Sequence, residues 1–486
     1  MDWAGRCPAT ASQFRRISAL PAAGTVVSRS RSRSPWKRLL AALAAASLIA
    51  RPTTARAQTA PLDASELQSL VTRYFQAPFP EARDAIAAEI ESLPGVTINE
   101  VAGAVRRVQL WDPQPSGLHK FVFDTRRGEP MDVHVHVPPN YDPRRAYPLL
   151  LAFHGAGGKG EEYIHLPLHL LGDRVSEFIV AAPTELEGAF ISSTPLEAHD
   201  PADLLRELKR RYHVDTDRVY VNGYSKGGHI SFLMGLLHTD LLAAAVPLAA
   251  TFATQAGYEL MDVMLPNLRH LPVLIAYGEL DREDRRGRSD IAGISGANRY
   301  MAGRARHLDV PIHFVELAGV GHHGVRPPLD QFHEMLTRTR PHDIKHFEHW
   351  FRHLSQGRLS FVRQTAYQGQ PWNGRHLRAT PGPDESFSEA MLEKIRLKLA
   401  YIGGRIEGQT VHIDTRKCAE IELLLSDELI DLDSDLVVTL KGDEVYRGSA
   451  RRSISTLLDV AHQDWDFQRL FTTRFTITKD GTGEVD

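Results

Sequence analysis

Apolar positions recur along most of the chain at two spacings, which predict alternating strands and helices. Residues 121–123 and 131–137 are predicted strands, and the second of them alternates apolar and polar positions. Continuous apolar runs, typical of buried strands in a parallel sheet, cover residues 147–153, 178–182, 219–222, 243–248, 272–277 and 312–317. Stretches with apolar residues three or four positions apart, typical of helices, cover residues 202–211, 227–237 and 297–308. The alternation predicts an α/β domain over residues 117–355, with a mostly parallel sheet and helices on both faces.

Different patterns flank this block. Helical spacing over residues 65–93, broken near Pro78 and Pro80, predicts a short helical segment within residues 58–116. Residues 356–400 are expected to form a linker and a helix: Gly, Pro, Gln and Arg accumulate over residues 355–383, and a helical pattern follows over 387–399. Short alternating runs then occur at 411–413, 421–425, 436–440 and 475–477, with a hairpin turn expected over 441–444. We therefore expect a small, mostly β C-terminal domain over residues 401–486.

The first 57 residues have the order of parts found in a signal peptide. Lys37 and Arg38 come directly before an apolar run over residues 39–50, and Ala55-Arg56-Ala57 then supplies a small-x-small cleavage pattern. The run is too short to span a bilayer, which takes about 20 helical residues. The pattern predicts cleavage before Gln58 and a secreted or periplasmic protein.

Composition and charge narrow the classes of partner. Hydrophobic residues make up 42% of the 486 residues and charged residues 24%, as in soluble globular proteins with a sizeable core. The net charge is −3, and removing the +9 carried by residues 1–57 leaves −12 for the remainder. That balance argues against a nucleic-acid partner. Of the two cysteines only Cys418 lies outside the predicted leader, so neither an internal disulfide nor a thiolate metal site is expected.

A serine lies where an apolar strand meets a helical stretch. Gly223-Tyr224-Ser225-Lys226-Gly227 follows the run at 219–222 and opens the helix predicted at 227–237. This strand–turn–helix context is the one that a G-x-S-x-G nucleophile turn requires, because glycines on either side let a strained serine project from the sheet. Ser225 is the candidate nucleophile.

A serine hydroxyl needs a base to take its proton and a carboxylate to orient that base. Asp281 follows the strand at 272–277, where the carboxyl end of the strand should present an acid. Glu279, Asp284 and Asp290 are rivals for the same role.

The candidate base follows the last predicted strand of the sheet. His322 comes directly after Gly321 in a glycine-rich loop, and the adjacent His323 is the alternative. An oxyanion hole is expected from backbone amides at Gly155 and Ala156, after the strand at 147–153, and from the amide of Lys226.

His154 opens this glycine turn, and a structural role for it is as plausible from the sequence as a catalytic one. Four other histidines, His342, His346, His349 and His353, fall on one face of a helix expected to close the α/β domain. No H-E-x-x-H pattern is present and no cysteine lies nearby, so we expect neither a metal nor an organic cofactor.

The motifs HGAGG, GYSKGG, ELD and GVGHH, in that order, resemble those of the α/β-hydrolase superfamily. The likeness is closer to its secreted esterases of the polyhydroxybutyrate-depolymerase and feruloyl-esterase type, whose entry is similar to Val137-Pro138-Pro139-Asn140-Tyr141. Prolyl-oligopeptidase catalytic domains are also similar. The resemblance covers residues 117–355 and implies an α/β-hydrolase fold.

Two further hypotheses stand beside a serine hydrolase of carboxylic esters acting through an acyl-enzyme. One is a serine peptidase of the prolyl-oligopeptidase type using the same three residues. The other is a non-catalytic protein whose C-terminal domain binds a polysaccharide or cell wall. For the serine hydrolase, the expected partner is a small or polymeric ester substrate. No membrane-spanning segment is expected in the chain.

Overall fold

An eight-stranded sheet is built from the strands β1 (Gly117–Asp124), β2 (Pro130–Val137), β3 (Tyr147–Phe153), β4 (Ile179–Pro183), β5 (Val214–Tyr224), β6 (Ala244–Leu248), β7 (Val273–Gly278) and β8 (Ile312–Leu317). Its strand order is β1-β2-β4-β3-β5-β6-β7-β8, in which β3 to β8 run parallel and β1 and β2 pair antiparallel. The predicted, mostly parallel sheet is confirmed.

The computed structural model describes residues 62–126, 128–184, 199–252, 258–281, 293–372, 377–479 and 483–485. The predicted signal peptide and the rival acids Asp284 and Asp290 lie outside these residues. All described residues belong to one unit of the chain. None of the helices within the described ranges combines the length and the apolar character that crossing a bilayer requires.

Helices cover both faces of the large sheet, because each strand in its middle is apolar on both sides. They are α4 (Gly160–Tyr163), α5 (His165–Leu171), α6 (His199–Arg211), α7 (Lys226–Leu237), α8 (Tyr258–Met264), α9 (Gly293–His307) and α10 (Leu329–Met335). Leu149 and Leu151 of β3 pack into the core on one face, and Leu150 and Ala152 into the core on the other. The fold class expected from the sequence is confirmed.

Three helices precede the sheet: α1 (Ala64–Gln76), α2 (Pro80–Glu91) and α3 (Ile98–Arg106). Asp63 caps α1, and Thr97 and Glu100 form a capping box at α3. Their apolar faces form one core with Leu457 and Leu458 of a C-terminal helix. The N-terminal segment therefore packs against the C-terminal half of the chain.

The C-terminal half contains two five-stranded sheets around a shared apolar core. Its elements are β9 (His346–Phe351), β10 (Arg358–Leu359), β11 (Val362–Tyr367), α11 (Phe387–Lys398), β12 (Ala400–Glu407), β13 (Thr410–Arg416), β14 (Cys418–Leu425), β15 (Leu436–Leu440), β16 (Asp443–Gly448), α12 (Ile454–Asp464), β17 (Thr473–Thr478) and β18 (Gly483–Val485). The strand orders are β10-β11-β14-β17-β18 and β16-β15-β13-β12-β9. Phe351, Ile402 and Leu423 are among the residues of the common core.

The helix predicted over His342 to His353 is wrong, because residues 346–351 form strand β9. This strand pairs with β12, so Phe347 and Phe351 enter the core of the C-terminal half. His349 is fully buried, and its Nε2 atom lies 2.7 Å from the backbone oxygen of Gln356. Strand β11 likewise lies within the stretch expected to be a linker, and it pairs with β14.

A buried ionic cluster joins the large sheet to the C-terminal half. Asp240 accepts two hydrogen bonds of 2.7 Å from the guanidinium of Arg469, and Nε of Arg358 lies 3.0 Å from it. Nearby, Arg340 lies 2.8 Å from Asp466. The side chains of Asp240 and Arg469 are 3% and 4% exposed, so these charges are removed from water and depend on each other. We call these five residues the ionic cluster.

Candidate active site

The turn that carries Ser225 joins the carboxyl end of β5 to the first residue of α7. Ser225 has φ of 54°, a left-handed conformation that is strained for a residue with a side chain. A Cβ atom at Gly227 would lie 1.9 Å from the backbone oxygen of Phe153, and one at Gly223 would lie 2.1 Å from that of Gly227. Only glycine fits at both positions, so the turn can form as the sequence pattern predicts.

Ser225, His322 and Asp281 form one hydrogen-bonded chain. Nε2 of His322 lies 2.9 Å from Oγ of Ser225, and Nδ1 lies 2.8 Å from Oδ2 of Asp281. An ionised carboxylate only accepts hydrogen bonds, so Nδ1 carries the proton and Nε2 is free to accept one from the serine hydroxyl. The side chain of Asp281 is 7% exposed and that of His322 is 34% exposed. The arrangement is that of a nucleophile, a base and an orienting acid.

The candidate acid and base lie on loops that follow adjacent strands of the sheet. Asp281 follows β7, where its backbone N–H donates to Gly278 and its backbone oxygen accepts from Ser295. His322 follows β8, which pairs in parallel with β7. Carboxyl ends of parallel strands meet at one edge, which explains why residues 41 positions apart come into contact.

Glu279, a rival for the acid, has a different contact. Its carboxylate accepts a hydrogen bond of 2.9 Å from the backbone N–H of Gly319, at the start of the loop that carries His322. The backbone N–H of Leu280 also donates to Val320 of this loop, at 2.8 Å. Glu279 thus anchors the loop that carries His322.

Tyr224 is a residue of the site that sequence reasoning missed. Its hydroxyl donates a hydrogen bond to the backbone oxygen of His322, so the strand that presents the serine also holds the base. Burial raises the pKa of Tyr224, which keeps its hydroxyl protonated as a donor. Its position immediately before Ser225 was the available signal, but the G-x-S-x-G pattern places no demand on that residue.

A pocket of about 420 Å³ opens beside the serine turn, and its lining includes Gly155, Ala156, Tyr224 and His323. A Cβ atom at Gly155 would lie 3.6 Å from Cβ of Ser225, so this glycine turn passes directly beside the candidate nucleophile. Lys226 is the first residue of α7, where backbone N–H groups lack helical partners. The structure therefore brings both predicted sources of backbone amides to the serine.

The two remaining histidines of interest occupy separate positions. His323 is exposed and lines the pocket, with its ring centroid 5.5 Å from that of His322. His154 is buried, and its Nδ1 atom lies 2.6 Å from the backbone oxygen of Gly155. This contact places the His154 ring against the backbone of the glycine turn.

The part of the chain that the structure describes contains no group of three or more His, Cys, Asp or Glu side chains positioned to hold a metal ion. The parallel sheet, the strained serine turn after β5 and the acid and histidine after β7 and β8 together decide the fold. It is an α/β-hydrolase fold.

Comparisons with known proteins give one curated relative and several similar solved structures. No family model matches the sequence. A bifunctional acetylxylan esterase/xylanase from Neocallimastix patriciarum is 29% identical over 130 residues, which is 26% of this chain and 19% of the relative. The chain therefore spans about a fifth of that curated relative's length.

Several solved structures are also similar over about half of the chain. A thermostable esterase has a TM-score of 0.38 and 18% identity, over 46% of this chain and 63% of that one. A poly(3-hydroxybutyrate) depolymerase from Bordetella parapertussis has a TM-score of 0.35 and 16% identity, over 46% of this chain and 95% of that one. A ferulic acid esterase from Anaeromyces mucronatus has a TM-score of 0.36 and 14% identity, over 47% of this chain and 94% of that one. The predicted resemblance to α/β-hydrolases is confirmed at the level of the fold, which the strand order and serine turn establish by themselves.

Proposed function

We propose that this α/β-hydrolase is a serine hydrolase of carboxylic esters, with Ser225 as nucleophile, His322 as base and Asp281 as orienting acid. The observation that carries the proposal is the continuous hydrogen-bonded chain from Asp281 through His322 to Oγ of Ser225. The curated relative is named as a bifunctional acetylxylan esterase/xylanase and matches over 130 residues, and its esterase activity supports ester hydrolysis as the reaction class.

In the first half of the reaction, Oγ of Ser225 attacks the ester carbonyl carbon while Nε2 of His322 takes the hydroxyl proton. The carbonyl oxygen becomes an oxyanion, and the backbone N–H groups of Ala156 and Lys226 are the expected donors to it. Collapse of this tetrahedral species breaks the bond to the alcohol, which leaves with the proton held by His322. The acyl group stays on Ser225.

In the second half, His322 takes a proton from water, and the resulting hydroxide equivalent attacks the acyl carbon. Collapse releases the carboxylic acid and returns the proton to Oγ of Ser225. The carboxylate of Asp281 stabilises the imidazolium in both halves and keeps Nδ1 protonated. No step requires a metal or an organic cofactor.

The first test is labelling with a fluorophosphonate and hydrolysis of a p-nitrophenyl ester series. We expect Ser225→Ala to abolish labelling and to lower kcat/KM by about 10³-fold or more. Ser176→Ala, at an exposed serine away from the pocket, is the control and should retain both activities. Residual hydrolysis by Ser225→Ala within tenfold of the wild type would refute the proposed nucleophile.

Ester and peptide substrates are distinguished in the same preparation. A dipeptide p-nitroanilide tests the peptidase alternative, because hydrolysis of an amide needs the leaving amine protonated. The proposal predicts that p-nitrophenyl acetate is hydrolysed and that this anilide is not. Faster cleavage of the anilide would favour the peptidase.

We also propose that the enzyme acts outside the cytoplasm, because the basic, apolar and small-x-small parts of residues 1–57 follow the order of a signal peptide. N-terminal sequencing of protein recovered from the periplasm or medium should begin at or near Gln58. Full-length protein confined to the cytoplasm would contradict this.

A further inference from the structure

A second large cleft, of about 820 Å³, lies where the C-terminal half meets the hydrolase sheet. Asp262 and Arg269 line it on the hydrolase side, and Trp350 and Tyr401 contribute aromatic rings from β9 and β12. None of its lining residues lines the pocket beside Ser225. A ligand held here would therefore leave the serine pocket open.

Part of the charge in this cleft is already balanced. Asp262 accepts a hydrogen bond of 2.7 Å from Arg304, and Glu348 accepts one of 2.8 Å from Arg269. These two carboxylates are thus committed to arginines. Neither is available to neutralise other cations of the cleft.

Four further cations line the cleft, from three different elements: Arg396 of α11, Arg416 and Lys417 at the end of β13, and Lys441 after β15. Among the described residues, none of the four has a carboxylate within 4.0 Å, and Asp414 is the one remaining acid of the lining. We call these four residues the cationic rim. An excess of positive charge in a concave site attracts anions.

Lys417 is held in a position that disfavours its own charge. Burial lowers the pKa of Lys417, and the positive charge of Lys398 lowers it further. Its backbone oxygen accepts hydrogen bonds from Gln368 N–H at 3.0 Å and from the Gln364 amide at 3.1 Å, so the chain is fixed there. A bound anion would oppose the repulsion that this lysine experiences.

Two aromatic residues border the cationic rim: Trp350, which is mostly buried in the core, and Tyr401, which is partly exposed. The ring centroids of Trp350 and Tyr401 are 4.6 Å apart, and the guanidinium carbon of Arg416 lies 5.9 Å from the Trp350 centroid. Guanidinium groups bind carboxylates through paired hydrogen bonds, and aromatic rings offer apolar surface to the C–H faces of a ligand. Sugar rings that carry carboxylates match both features.

We propose that this cleft binds a strand of an acidic polysaccharide, with uronate carboxylates on the cationic rim and a sugar ring near Trp350 and Tyr401. A nucleic acid carries more negative charge per unit length than a polyuronate, so the net charge of −12 on residues 58–486 disfavours a nucleic acid more strongly. The cleft is concave, so a flat bilayer cannot reach its lining. The inference does not depend on the proposed ester hydrolysis.

The test uses the full mature chain and calorimetric titration with oligogalacturonate at about 0.15 M salt, where weak surface attraction is screened. A neutral galactan oligomer of matched length is the ligand control. The charge-reversal variant Arg396→Glu/Lys441→Glu should bind oligogalacturonate at least about tenfold more weakly than the wild type, because two charge-assisted contacts are replaced by repulsion. The matched variant Lys345→Glu/Lys479→Glu, at exposed lysines outside the cleft, should bind within about twofold of the wild type.

Each other outcome overturns the inference. Absence of binding by the wild type, equal binding of the neutral oligomer, or equal losses in the two double variants would remove the cleft as a uronate site. A single-stranded oligonucleotide that binds as tightly as oligogalacturonate would indicate a general polyanion surface instead. Two controls accompany the titration. An unchanged circular dichroism spectrum of both double variants shows that they fold. Hydrolysis of p-nitrophenyl acetate at the wild-type rate shows that the ester hydrolysis is unaffected, so a loss of binding is assigned to the cleft alone.

Discussion

The candidate triad and the ionic cluster are both built from charged or polar side chains, but their surroundings differ. His322 is about a third exposed, and its ring has one bond to an acid and one to Ser225. Asp240 is almost fully buried, and Arg469, Arg358 and the backbone N–H of Ser360 all lie within hydrogen-bond range of its carboxylate. The first arrangement leaves a proton able to move, whereas the second fixes charges in place.

The difference is visible in the electrostatics of Asp240. Burial alone would raise the pKa of Asp240, but the charges of Arg469 and Arg358 outweigh it and hold the pKa well below the usual range. The same balance keeps the pKa of Asp466 low, with Arg340 as the main opposing charge. These acids stay ionised at neutral pH, so the ionic cluster is suited to holding the two halves of the chain together and not to proton transfer.

The largest predicted effect tests which histidine belongs to the triad. His322→Ala should lower kcat/KM for p-nitrophenyl acetate by about 10³-fold or more, because the serine hydroxyl then has no base. His323→Ala, the matched variant one residue on, should keep at least about a tenth of wild-type activity, since this residue is exposed at the pocket. Reversed losses would make His323 the base, and two active variants would refute the triad.

The next effect is expected on stability. Asp240→Asn should lower the free energy of unfolding by about 3–5 kcal/mol, because the buried Arg469 loses its anion and Arg358 is left with its ion pair to Asp464. The matched variant Asp427→Asn breaks a contact of Arg452 with an acid that is 51% exposed, and surface pairs of this kind contribute about 1 kcal/mol or less. Denaturant unfolding measures both. If the two variants lost equal free energy of unfolding, burial would not be what makes the Asp240 contacts stabilising.

The ionic cluster also predicts a pH dependence. The folded pKa of Asp240 lies below its usual value of 3.8, so its contribution to stability is present above about pH 4. This contribution is lost as the pH falls below the pKa of Asp240 in the unfolded chain and then through its lower pKa in the folded protein. The wild type should therefore lose unfolding free energy steeply in acid, and Asp240→Asn less steeply. Parallel curves for the two proteins would show that this acid is not responsible.

The sequence predicted the candidate triad because its signals are local. The glycines around Ser225, the acid after β7 and the histidine after β8 each lie within a few residues of a recognisable strand end. The ionic cluster has no such signal, since Asp240 and Arg469 are 229 positions apart and each resembles any charged residue. Only the folded chain brings them together.

The misassigned strand β9 has a related cause. The spacing of His342, His346, His349 and His353 fits a helix, and residues 346–351 taken alone cannot distinguish a helix from a strand. Pairing with β12, more than 50 residues later in the sequence, decides the outcome, because it places Phe347 and Phe351 in the core of the C-terminal half. Tertiary pairing overrides the local pattern at this point.

The smallest predicted effect concerns how tightly the base is held. Tyr224 and Tyr220 lie on the same strand, and each hydroxyl has one proton to donate. Tyr224 donates it to the backbone oxygen of His322, and Tyr220 donates it to a site shared by the backbone oxygens of Leu336 and Arg338, at 2.9 and 2.8 Å. Replacing either tyrosine by phenylalanine removes hydrogen bonds that contribute about 1 kcal/mol each to stability. Of the two tyrosines, it is Tyr224 whose hydrogen bond reaches the loop that carries the base.

Tyr224→Phe should therefore lower kcat by about three- to tenfold with KM little changed, because the histidine spends less time within reach of Ser225. Tyr220→Phe should lose a similar amount of stability, since it too removes the one proton that the hydroxyl donates, yet keep the wild-type kcat. Steady-state kinetics with p-nitrophenyl acetate, alongside thermal unfolding of both variants, separates the two roles. An unchanged kcat in Tyr224→Phe would mean that Glu279 and the backbone of the loop suffice to hold the base, and equal falls in both variants would assign the effect to general loosening of β5.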